Sequence, residues 1–171
     1  MDLSTMEDHP VRSADGAVFY GGGPAWDPTG RSVVYTRYMP GADDSGLEIF
    51  RVYPDSSGER QLTHLDWSCE YPKWIDGGKS IVFRIDPAGS LDPNSPNWWV
   101  IPASGPPAHP FYDQKRQIDL NPAFMAVGPE TGDFVSMWKA GNREHYSALW
   151  VVHVDATGPP KYRQITGLFP E

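Results

Sequence analysis

A unit of about fifty residues occurs three times in this chain of 171 residues. The copies open at Pro24, Pro72 and Pro122, which lie 48 and 50 residues apart. Each copy consists of short apolar runs separated by turn residues. A repeat of this length cannot bury an apolar face alone, so the copies are expected to stack on one another.

The alternation of apolar and polar residues divides each copy into strands. In the first copy, strands are predicted at 25–26, 32–37, 48–53 and 60–63. The other two copies divide in the same way, which predicts at least eleven strands and little helix. We therefore predict an all-β fold of three four-stranded antiparallel sheets. Such sheets are the blades of a β-propeller, here an incomplete ring or half of a six-bladed assembly.

The repeats also set the expected domain boundaries. An N-terminal segment at 1–23 with one short strand precedes repeats at 24–71, 72–121 and 122–166, and a short tail follows.

Composition narrows the classes of partner. The net charge is −8, which argues against nucleic acid because a nucleic-acid binder needs a basic surface. No apolar run approaches the ~20 residues that span a bilayer, so no membrane span is predicted. No signal peptide is visible in residues 1–20. A cytoplasmic location is expected if the sequence is whole, and a periplasmic or extracellular one if it is an excerpt. Cys69 is the single cysteine and is predicted to be a small buried thiol.

The motifs of the repeat resemble a known family. Residues 24–30 read Pro-Ala-Trp-Asp-Pro-Thr-Gly, an Ile-Phe pair follows at 49–50, and Gln-Leu-Thr at 61–63 closes the unit. This pattern resembles the repeats of TolB-type β-propellers over residues 24–166. The second copy lacks the closing Leu-Thr, and Phe124 replaces Trp in the third. The resemblance implies a propeller that docks a protein. Similar repeats also occur in the propeller domains of prolyl-oligopeptidase-like peptidases and in oligogalacturonate lyases.

Most aromatic residues recur at equivalent repeat positions, and these are predicted to pack sheet against sheet. They are Trp26, Trp74 and Phe124, and Phe50, Trp99 and Trp150. Trp67 and Trp138 do not recur, which makes each a candidate recognition anchor.

Strand direction predicts which end of the sheets binds a partner. The long loops between second and third strands, at 38–47, 86–97 and 139–147, lie at the same end as the connections between repeats, at 64–71 and 113–121. Irregular loops on one face of a repeat scaffold commonly carry binding residues. The predicted binding residues at that end are Trp67, Glu70, Asp119, Arg143 and His145.

Catalytic and metal-binding motifs are absent from the sequence. It contains no Gly-x-Ser-x-Gly, His-Glu-x-x-His or Cys-x-x-Cys pattern. We predict no catalytic residues, no metal site and no cofactor, and a chain that is not by itself an enzyme.

Three functions remain open at this point. The first is a non-catalytic propeller that binds a protein or peptide. The second is the propeller portion of a larger hydrolase, and the third is a sugar or small-molecule binder. Three repeats also predict exposed aromatic flanks on the first and last sheets. Either two copies join into one ring, or the sequence is part of a longer propeller.

Overall fold

The repeats fold into β-strands joined by short turns. The computed structural model describes residues 19–39, 46–86, 98–110, 126–127, 134–139, 146–153 and 161–165. Within them lie twelve strands, and the only helical element is a 3-10 turn at Asp76–Gly78. The all-β prediction is therefore confirmed.

Backbone pairing arranges these strands in three antiparallel four-stranded sheets, each in chain order. The first sheet consists of β1 (Phe19–Trp26), β2 (Val33–Tyr38), β3 (Leu47–Val52) and β4 (Arg60–Gln61). The second sheet consists of β5 (Ser68–Ile75), β6 (Ser80–Asp86), β7 (Trp98–Pro102) and β8 (His109–Pro110). The third sheet consists of β9 (Ala126–Val127), β10 (Phe134–Lys139), β11 (Tyr146–His153) and β12 (Lys161–Gln164). The strands of the third sheet are related here by their backbone pairing alone. It remains a prediction that they form a third blade of the same ring.

The first strands of the first two sheets begin earlier than their sequence pattern indicates. β1 starts at Phe19 and β5 starts at Ser68, so the repeat boundaries expected at 24 and 72 fall inside strands. Both strands contain a bulge at that level, which interrupts the alternation on which the prediction relied.

A single apolar core joins the first two sheets. Val34, Ile49 and Leu62 of the first sheet pack with side chains of the second that include Trp74 and Phe83, and all five are buried. The indole Nε1 of Trp74 donates a hydrogen bond to the carbonyl of Ala25, 3.1 Å away on β1. Trp74 therefore packs sheet against sheet, as its repeat position predicted.

The opposite face of the first sheet is also mostly buried. Tyr35, Phe50 and Val52 form a second cluster there, with relative exposures of 6% or less. The Arg37 guanidinium lies 4.5 Å from the centre of the Phe50 ring and forms a 3.2 Å ion pair with Glu59. The predicted exposure of aromatic side chains on this face is therefore not observed at Tyr35 and Phe50, because aromatic and charged side chains of the sheet cover one another.

Trp26 is the exception on that face. It occupies the same repeat position as Trp74, yet it is 57% exposed against 4%. The prediction that Trp26 packs between sheets is wrong, since no further sheet lies on that side within the described residues. An exposed indole therefore marks the edge of the first sheet.

Candidate binding surface at the loop-side end

The described ends of the strands meet at what we call the loop-side end of the sheets. There β2 ends at Tyr38, β3 begins at Leu47, and residues 62–67 lead from the first sheet into Ser68 of β5. The opposite, turn-side end carries the tight turns at 27–32, 53–59 and 76–79. Strand pairing fixes this division, because antiparallel neighbours reverse direction at each connection.

Trp67 lies at the loop-side end, directly before β5. Its side chain is 38% exposed and contacts Trp99 of β7 edge to face, with ring centres 5.9 Å apart. Its carbonyl accepts a hydrogen bond from the Cys69 thiol at 3.5 Å. The indole is therefore held against the sheet while part of its surface remains open to a partner, as a recognition anchor requires.

A buried carboxylate holds the connection that carries Trp67. Glu48 on β3 is 5% exposed, and its Oε1 accepts a 2.9 Å hydrogen bond from the Leu65 backbone. Its Oε2 accepts a hydrogen bond from the Thr63 hydroxyl, and the Thr63 oxygen accepts one from the Ile49 backbone at 2.8 Å. Residues 63 and 65 are thereby tied to β3, which restricts the connection before it reaches Trp67.

Burial shifts two pKa values in this network. It raises the pKa of Glu48, although hydrogen bonds from Thr63 and Leu65 oppose the shift. Burial also raises the pKa of the Cys69 thiol, and the neighbouring Glu48 carboxylate adds to the effect. Cys69 is fully buried, so the prediction of a small buried thiol is confirmed. Raised pKa values keep the thiol protonated, which suits a structural role rather than a nucleophile.

Glu70 is on β5 and lies near the same end of the sheets as Trp67. It pairs across the ladder with Arg84, and the carboxylate and guanidinium are 4.0 Å apart. The two side chains are 19% and 33% exposed, so a partner can approach both charges. An exposed pair of this length adds little to stability.

The structure thus brings Trp67 and Glu70 to one end of the second sheet. Asp119, Arg143 and His145 lie outside the described residues, as do Phe124 and the side chains of Trp138 and Trp150. Sequence reasoning missed Glu48. The available signal was a charged residue directly before an apolar Ile-Phe pair, in a repeat that closes with Thr63.

Among the described residues, no three His, Cys, Asp or Glu side chains converge in a way that would hold a metal ion. No helix in the described ranges is long and apolar enough to cross a bilayer.

Comparison with known proteins assigns a class to this architecture. Manganese-bound oligogalacturonate lyase superposes on 96% of the chain with a TM-score of 0.67 and 15% sequence identity. The chain covers 46% of that structure. These sheets therefore have a β-propeller type of fold, because identity this low shows architecture alone.

Solved TolB structures have the same architecture. TolB from Acinetobacter baumannii matches over 98% of the chain, with a TM-score of 0.60, 18% identity and 37% of its own length covered. A putative TolB from Agrobacterium tumefaciens matches over 82%, with a TM-score of 0.53, 19% identity and 47% of its own length covered. The chain thus spans less than half of each of these structures. The resemblance to TolB in the sequence is supported at the level of the fold.

Among curated proteins, dipeptidyl-peptidase 5 from Porphyromonas endodontalis is 34% identical over 64 residues. That stretch is 36% of this chain and 9% of the peptidase. No family model matches the chain.

Proposed function

We propose that this chain is a non-catalytic propeller-repeat protein that binds a protein or peptide through its loop-side end, with Trp67 as the central contact. The observation that carries the proposal is the partly exposed Trp67 ring, held against Trp99 on a connection that Glu48 anchors. Rigid aromatic side chains lose little conformational freedom on binding and contribute strongly to interface affinity. The TolB likeness supports a protein partner. In this proposal Glu70, Asp119, Arg143 and His145 belong to the same surface.

A peptide-display selection against the full chain tests this proposal. Selected peptides are expected to bind at least about tenfold more weakly to a Trp67→Ala variant, because truncation of an anchor costs more than about 1.4 kcal/mol. Trp26→Ala is the matched control, since Trp26 is also exposed but lies at the turn-side end. Peptides that lose affinity for the Trp26 variant and keep it for the Trp67 variant would refute the face assignment.

A second role is proposed for the exposed Trp26. Two copies of the chain associate so that a sheet of one packs against Trp26 of the other and completes a ring. The support is the repeat-equivalent Trp74, which is buried by a neighbouring sheet and donates to a β1 carbonyl.

The similarity to dipeptidyl-peptidase 5 favours one alternative, that the chain is the propeller portion of a larger hydrolase. In that case a hydrolase domain supplied separately would bind the chain, and its activity would change on binding. The absence of such an effect, together with selected peptides that depend on Trp67, would favour the first proposal.

A further inference from the structure

Lys73 lies on β5, the first strand of the second sheet. β5 is the edge strand of that sheet, and it neighbours β1, the edge strand of the first. The Lys73 side chain reaches across this junction, since its Nζ is 3.6 Å from the position where a side chain on Gly23 would begin. The ammonium group is therefore at the inner edge of the sheets, beside the backbone of β1.

This ammonium is not matched by an acid among the residues that the structure describes. Lys73 is half-buried, and no carboxylate of the described residues forms an ion pair with it. Burial lowers the pKa of Lys73, and no acidic side chain in the described part of the chain opposes the shift. A partly buried cation without a counter-charge is unfavourable for folding, and such groups are found where a ligand supplies the missing charge.

The glycine run of β1 lies beside this charge. Residues 21–24 leave the ladder between the pairs Tyr20–Thr36 and Ala25–Val34. Gly23 has a φ of +73°, which side-chain-bearing residues rarely adopt, and a side chain there would meet the ammonium. β5 bulges at the same level, between Glu70 and Lys73. Two adjacent bulges and a glycine thus lie beside the ammonium.

We propose that Lys73 and the glycine bulge of β1 form a binding site for a carboxylate of a peptide ligand. The ammonium supplies the counter-charge, and the backbone of Gly23 permits close approach of the carboxylate. This site is distinct from the Trp67 surface and does not depend on it.

The test uses the full chain with its lysines reductively methylated with 13C-formaldehyde, which keeps their charge. The NMR signal of Lys73 is assigned by its loss in a Lys73→Arg variant, and its pKa is read from a pH titration. The probes are acetyl-trialanine with a free C-terminal carboxylate, its C-terminal amide, and the amide of acetyl-Ala-Glu-Ala. The first and third probes separate a terminal carboxylate from a side-chain carboxylate.

At millimolar concentration, a carboxylate-bearing probe is expected to raise the titration midpoint of Lys73 by about half a pH unit or more, because an anion favours the charged amine. The trialanine amide is expected to leave it unchanged. Lys79 is the internal control, since its side chain is 78% exposed. A Lys73 midpoint that responds to no carboxylate probe, or that moves only as Lys79 does, would overturn the proposal.

Two variants separate this site from other effects. Lys73→Met is expected to unfold at a higher temperature than the wild-type chain in the absence of peptide, because it removes an uncompensated charge. A lower unfolding temperature would show that the ammonium already has a stabilising partner and would contradict the inference. Trp67→Ala is expected to keep the full Lys73 response. This outcome is independent of the peptide-display result, so the two proposals fail separately.

Discussion

At the scale of single residues, the carboxylate of Asp27 organises the first turn of the first repeat. Its Oδ1 accepts hydrogen bonds from the Thr29 backbone at 2.7 Å and hydroxyl at 2.6 Å, and its Oδ2 accepts one from the Ser32 hydroxyl at 2.7 Å. Burial opposes ionisation of Asp27, but these bonds together with one from the Arg31 backbone lower its pKa to about 2. The turn therefore depends on a charged carboxylate.

Replacement of Asp27 by Asn is expected to lower the free energy of unfolding by about 1 kcal/mol at pH 7, because the amide offers one acceptor oxygen and solvent weakens the remainder. The folded pKa lies below the ordinary value of 3.8, so the contribution is complete above that pH and is lost as the pH falls through about 2. Urea unfolding should show a smaller difference in the free energy of unfolding between the wild type and the variant at pH 2 than at pH 7. Asp66→Asn serves as the control, and an equal Asp27 difference at both pH values would contradict this account.

At the scale of elements, the strands are held together by interactions that differ between equivalent repeat positions. Trp74 is buried between two sheets and Trp26 is not, although both lie two residues after the proline that opens their repeat. Tyr35, Arg37 and Glu59 interact with one another in the first sheet, and the described strands of the second sheet have no equivalent group. There, Phe83 and Ile85 occupy the positions of Tyr35 and Arg37. The repeats therefore share a backbone pattern while their faces have diverged.

Substitution of Trp74 by Phe is expected to destabilise the fold by about 1–2 kcal/mol, because it removes the hydrogen bond to Ala25 and leaves a small void. Trp26→Phe is the matched variant and, at concentrations low enough for the chain to be monomeric, should change the free energy of unfolding by less than about 0.5 kcal/mol, as exposed substitutions do. Urea denaturation of the two variants measures the difference. Equal effects would mean that Trp26 is also packed in solution.

The buried Glu48 is expected to give the connection between the first two sheets a distinctive pH dependence. Because burial raises its pKa above the ordinary 4.5, the folded chain holds this proton more tightly than the unfolded chain does. The free energy of unfolding should therefore fall as the pH rises from 4.5 through the folded pKa, relative to a Glu48→Gln variant.

Urea midpoints of the wild type and Glu48→Gln between pH 4 and pH 8 check the sign. Glu70→Gln is the control, since that carboxylate is only partly buried. A wild-type chain that gains stability over the Gln variant with rising pH would show that the hydrogen bonds from Thr63 and Leu65 outweigh burial.

At the scale of the whole molecule, the proposed association of two copies makes a direct prediction about mass. Light scattering of the full chain is expected to give twice the monomer mass at micromolar concentration, and Trp26→Ala should shift the population towards monomer because it removes the exposed indole from the interface. Trp67→Ala should leave the mass unchanged. A wild-type monomer across the accessible concentration range would refute self-association.

Much of the fold and part of the candidate site were accessible from the sequence. Turn residues and alternating apolar runs located most strands within a few residues, as for β2, predicted at 32–37 and found at Val33–Tyr38. The alternation of strand direction predicted that Trp67 and Glu70 lie at the same end of the sheets. Glu48 was not found, because its partners Thr63 and Leu65 lie on the connection that follows β4, about fifteen residues along the chain.

Local sequence and tertiary contacts account for different features of this protein, and the reason is physical. Local sequence is sufficient to specify the strands, the turns and the repeat, since backbone preference and alternation act over a few neighbouring residues. Tertiary contacts determine that Trp74 is buried while Trp26 is exposed, and that Lys73 lies beside Gly23. Burial and charge pairing depend on which distant segments come together, and identical motifs acquire different surroundings when only one of them has a sheet on the neighbouring side.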